Sequence, residues 1–178
     1  MDPLPPDKWD WEPRRHPVGR FDPLSGRFRV RYAANGPGAA AREHFQARII
    51  TEADGELYVV GLESMPSALH LTRQSNLDVL GLDDRASTGR IEVGGRADPD
   101  PLLDICGALA DALYDWWDTS PPPLVYRTRS MPGAGRSIAF TQSGAGKVVS
   151  VGRLRDATAL HVYLVLQAGF SVPEAWLR

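Results

Sequence analysis

Glycine and proline divide this sequence so finely that one long apolar-periodic run stands out. That run is DPDPLLDICGALADALYDWWD, from Asp98 to Asp118. Leu102, Ile105, Leu109, Leu113 and Trp116 recur at helical spacing, and Asp98 or Asp100 can cap the start. Elsewhere the 15 prolines and 17 glycines among 178 residues leave room only for short strands, short helices and many loops. A chain of this length suggests one domain with a usable core. Hydrophobic residues at 43% and charged residues at 24% make it globular rather than disordered.

RFRVRYAA (Arg27 to Ala34) alternates Phe28, Val30 and Tyr32 with arginines, which predicts a strand with one apolar face. NGPG then predicts a turn, with Pro37 opening a helix that runs to about Arg48. ELYVVGL reads as a strand, SALHLTR as a short strand, and LDVLGL as either strand or turn. PPPLVYRTR and RSIAFTQS read as two strands joined by SMPGAG. LRDATALHVYLVLQAGF reads as a closing helix ending near Gly169. The expected class is α+β, with helices packed on short strands. Residues 1–18 read as a Pro/Trp-rich extension, packed through Trp9 and Trp11 or mobile, and 19–178 as the domain proper.

Several chemistries drop out. A single cysteine, Cys106, permits no intramolecular disulfide, argues against a cysteine zinc site and reads as a buried structural thiol. His16, His44, His70 and His161 have no metal-ligand spacing, so no metal is expected. QSGAGKVVS lacks the spacing of a phosphate loop and reads as a hairpin turn. Trp116 and Trp117 read as packing residues rather than a stacking platform. A formal net charge of -2 gives no global argument for nucleic acid or membrane. The start lacks a signal-peptide pattern and no apolar run is long enough to span a bilayer, so the expected compartment is cytoplasmic. Charge is segregated, however: residues 51–118 are acidic and both ends basic, which would frame an anion if the ends meet.

Glu43 closes the small-residue stretch GPGAAARE. At helical spacing it shares a face with Ala39, Ala40, Gln46, Ala47 and Ile50, while Ala41 and Phe45 lie opposite. Either that alanine face is exposed and Glu43 solvated, or the alanines permit close packing and the acid is aimed into a cleft. Arg20, Tyr32, and the strand carrying Tyr126, Arg127, Thr128 and Arg129 supply what a nucleotide site needs. These are a phosphate fork, an aromatic face and a hydroxyl, beside a carboxylate able to stabilise a ribosyl cation.

At these residues the chain resembles the RES domain family, named for its Arg, Glu and Ser. The resemblance rests on Gly19-Arg20-Phe21, the strand Arg31-Tyr32-Ala33-Ala34, the small-residue helix ending in Glu43, and a late YxSR-like strand. It covers about 20–50 well and 122–142 moderately. It implies a fold similar to ADP-ribosyltransferase toxins, and NAD as a substrate cleaved at the nicotinamide–ribose bond by water or phosphate. It implies no cofactor beyond NAD as substrate, with phosphate as an optional co-substrate. It also implies a toxin neutralised by a helix-turn-helix-type antitoxin, with homo-oligomer formation left open. On this resemblance Arg20, Glu43 and Thr128 are catalytic, while Arg20, Tyr32, Arg31 and Ser130 bind NAD. Thr128 stands where the family has serine, and Ser130 is the neighbouring candidate. Asp22 departs from the family pattern and would need Arg27 or Arg29 to offset its charge near a dinucleotide. The alternatives are transfer of ADP-ribose to a protein, or a binding module without catalysis.

Overall fold

The computed structural model describes residues 1–13, 17–45, 47–63, 65, 67–82, 101–128 and 135–178. In chain order the elements are β1 (Arg31–Ala34), α1 (Pro37–His44), β2 (Tyr58–Leu62), β3 (Leu69–His70) and α2 (Gln74–Leu80). They continue with α3 (Pro101–Trp116), β4 (Leu124–Arg127), β5 (Arg136–Phe140), β6 (Val148–Arg153) and α4 (Thr158–Leu166). The class is α+β, as expected. The chain forms two compact units: Met1–Asp10, Ala33–Ser64 and Gly146–Arg178 in one, Trp11–Tyr32 and Met65–Ala145 in the other.

The first unit is built on an antiparallel β2–β6 pair, in register from Tyr58 opposite Arg153 and irregular at Gly61/Leu62. Asp2 extends it by exchanging backbone hydrogen bonds with Tyr58, at 3.0 and 2.8 Å. Ala41, Phe45, Ile50, Leu154, Leu164, Ala168 and Phe170 form its core. α1 packs on α4, and a Cβ on Gly38 would lie 2.9 Å from the Tyr163 hydroxyl. The small residues therefore serve helix–helix approach. α1 also ends at His44, four residues before the expected end at Arg48. His161 is fully buried, its Nε2 2.5 Å from the Leu154 carbonyl.

The four-stranded sheet is ordered β1-β5-β4-β3, and the second unit holds β3, β4, β5 and the Arg31–Tyr32 part of β1. β3 and β4 run parallel and β4 and β5 antiparallel. α3 packs against it and buries Cys106, Leu109, Ala110 and Leu113, an i, i+3, i+4, i+7 stripe. Cys106 is buried as expected. Ile105 and Trp116, placed on the core face by spacing alone, are exposed, Trp116 by 63%. Trp117 is exposed too, so the tryptophan pair does not pack in a core. Phe28 stacks on Tyr114 of α3 at 4.2 Å between ring centroids.

Three expectations change. LDVLGL is neither strand nor turn: it is the body and end of α2, closed by Gly81 at φ +63 with the Leu82 amide donating to the Leu77 carbonyl. The polar residues Gln74, Ser75 and Asn76 supply its first turn, so no apolar period announces it. The Arg27–Ala34 strand is shorter than its pattern. Phe28 and Val30 are buried as the alternation requires, but the strand covers only Arg31–Ala34. QSGAGKVVS is not a hairpin, because β5 pairs with β4 while β6 pairs with β2. Trp11 sits edge-on to Phe140, with ring centroids 6.2 Å apart. The caps at Asp98 and Asp100 lie outside the described residues.

Candidate functional site

The GRFD segment is tied into a knot by Asp22. Its Oδ2 accepts from the Val18 amide at 2.9 Å and the Gly19 amide at 2.8 Å, and its Oδ1 accepts from the Tyr32 hydroxyl at 2.9 Å. The Tyr32 oxygen accepts in turn from the Phe21 amide at 2.9 Å. Gly19 makes this possible, since a Cβ there would lie 2.5 Å from the Tyr32 ring. The charge of Asp22 is thus met by two amides and a phenol. Arg27, expected as a counter-charge, instead pairs with Asp115 at 2.7 Å and with Asp111, and lies over the Tyr114 ring. Ser25 joins that cluster through Asp111.

Tyr32 is 38% exposed, and its hydroxyl is held between the Asp22 carboxylate and the Phe21 amide. Burial first, and then the Asp22 carboxylate, push its phenol well above the ordinary value of 10.0. Below pH 10 the phenol is protonated folded or unfolded. Between there and the folded value only the unfolded chain ionises, so stability falls as pH rises through that window. Spectrophotometric titration should show one of the five tyrosines ionising last. Tyr32→Phe should remove that step and flatten the alkaline loss of stability.

The knot holds Arg20 inward. Arg20 is only 6% exposed, and its guanidinium carbon lies 5.1 Å from the centre of the Tyr126 ring. Phe21 packs on the same ring at 4.9 Å. Tyr126 is on β4, directly opposite Ser137 of β5. Thr128 is buried two residues beyond Tyr126, and its amide donates to the Gly135 carbonyl, continuing the ladder. Arg20, Tyr32, Tyr126 and Thr128 therefore belong to one unit. A cation on an aromatic face is a group that can bind an anionic or planar ligand.

Of the other predicted residues the structure describes two, Arg31 and Glu43. Arg31 stands over the Trp11 ring at 5.4 Å. Glu43 is exposed on α1, in the first unit. Ser130 lies outside the described residues. Ser137 was missed, because a serine alternating with apolar residues in RSIAF carries no signal until its strand partner is known. An open apolar pocket of about 280 Å³, mouth included, is lined by Phe21, Phe28, Val30, Leu113 and Phe140 among others. None of the predicted site residues line it, and its walls suit a hydrocarbon rather than a dinucleotide. Among the described residues no group of three His, Cys, Asp or Glu could hold a metal, and no helix is long and apolar enough to cross a membrane. Comparison with protein-family models, curated proteins and solved structures found no match to this chain.

Proposed function

We propose that the chain is an NAD-degrading enzyme of RES type that cleaves the nicotinamide–ribose bond, acting as the toxin of a toxin–antitoxin pair. The observation that carries this reading is the enclosed Arg20 guanidinium against Tyr126, fixed by the Gly19–Asp22–Tyr32 knot. Burying an arginine is costly, and fixing one beside an aromatic ring pre-organises a fork for phosphate. In the reaction the ribose C1–nitrogen bond breaks and nicotinamide leaves with the electron pair. Water or phosphate then forms the new bond at C1, and the proton of an attacking water passes to a base or to solvent. Arg20 holds the pyrophosphate, the exposed part of the Tyr32 ring faces nicotinamide, and Thr128 binds the ribose or amide. Glu43 of the first unit is a candidate for the acid that stabilises the ribosyl cation through the family resemblance alone, with no geometry behind it.

The test is chromatographic detection of nicotinamide after incubation of the purified chain with NAD, with and without phosphate. Free ADP-ribose is expected without phosphate, and its 1-phosphate with phosphate if phosphorolysis operates. Label from NAD appearing in protein instead would favour transfer. Unchanged NAD over hours, with NAD binding demonstrated, would reject cleavage.

A further inference from the structure

The apolar pocket lies wholly in the second unit and takes no part in the NAD reading. Protein interiors pack almost without voids, and an open apolar space of about 280 Å³, mouth included, leaves its walls without partner atoms on one side.

The walls are held apart by contacts made elsewhere. Each of the three phenylalanines that line the pocket is paired with a different ring. Centroid separations are 4.9 Å for Phe21 and Tyr126, 4.2 Å for Phe28 and Tyr114, and 6.2 Å for Phe140 and Trp11. Turning any of these rings into the space would break an aromatic pair. Pro121 and Pro122 stiffen a further part of the wall, because their φ angles are fixed. The pocket is therefore preformed.

Its lining selects the ligand. None of the described residues that line it is charged. Thr141 is the polar residue on the wall, and its hydroxyl is already bonded to that of Ser143 at 3.0 Å. An ion entering here would lose water and gain no partner. The volume is near the low end for ligand pockets, which begin at about 300 Å³, while a cavity of about 150 Å³ is enough for benzene.

We propose that this pocket is a binding site for a small uncharged aromatic molecule, one ring in size. The ring is held by burial against Phe21, Phe28 and Phe140, and no bond is made or broken. The site stands whether or not the chain cleaves NAD.

Calorimetric titration of the full chain with toluene and with benzoate tests it, repeated on Ala110→Leu and Ala139→Val with a melting curve for each. Both alanines are buried on the pocket wall, so the added carbons take up its space. Saturable one-to-one binding of toluene is expected, with benzoate at least about tenfold weaker. Each filled variant that melts cooperatively should bind toluene at least about tenfold more weakly than wild type. Should neither variant fold, magnetisation transfer from toluene to the Ala110 and Ala139 methyl groups of wild type locates the ring by NMR. No saturable toluene binding overturns the proposal. So does benzoate binding as tightly as toluene, a folded filled variant that binds toluene like wild type, or transfer to other methyl groups instead of these two.

Discussion

Asp22→Ala is expected to lower the unfolding free energy by about 3 kcal/mol, measured by urea denaturation. The substitution leaves the Val18 and Gly19 amides and the Tyr32 hydroxyl without their acceptor. Each lost partner in a partly buried setting costs about 1–3 kcal/mol, and water reaching the Val18 side returns some of it. Asp22→Asn should fall between, since one amide oxygen replaces two carboxylate oxygens and its NH2 would face donors. Gly19→Ala attacks the same knot sterically. The added methyl would overlap the Tyr32 ring, so the ring must leave its place. In a Tyr32→Leu background the same alanine should cost far less, and the double-mutant cycle measures that coupling. Additive losses would show that Gly19 and Tyr32 act separately.

Arg20→Ala and Glu43→Gln are each expected to reduce nicotinamide release at least about a hundredfold, on the proposed reading, but with different effects on the fold. Removing a fixed electrostatic contact to the reacting charge typically costs this much or more. Glu43 is exposed, so Glu43→Gln should leave Tm within a degree or two of wild type. Arg20 is enclosed on Tyr126, so Arg20→Ala should also lower Tm. Arg20→Lys keeps the charge but loses the planar fork, and should raise KM more than it lowers kcat. Glu43→Gln retaining full activity would reject Glu43 as the acid while leaving the Arg20 subsite open to test.

Legibility followed the range of the interactions involved. Strands β2, β4 and β5 and the body of α3 could be read because period and turn residues are local signals. α2 could not, since Leu77 is its only buried residue and its identity rests on a glycine cap. Helical spacing put Ile105 and Trp116 on the core face of α3, and only packing shows that both are exposed while Ala110 is buried. In the candidate site, Arg20 and Tyr32 were legible as residue types, but their relation was not. The sequence reading set Asp22 against the ligand, whereas its carboxylate is the acceptor that ties the loop together.

By itself the sequence determined the α+β class, the exclusion of disulfide chemistry, the buried thiol and the segments that carry Arg20, Tyr32, Glu43 and Thr128. These follow from composition and short-range periodicity, which act within a few residues of chain. Only the tertiary structure decided that β6 joins β2 rather than β5, that α1 spends its small residues on α4, and that Arg20 rests on Tyr126, which stands opposite Ser137. Strand partnership and the satisfaction of buried polar groups depend on residues far apart in the chain, and folding alone brings them within hydrogen-bonding distance.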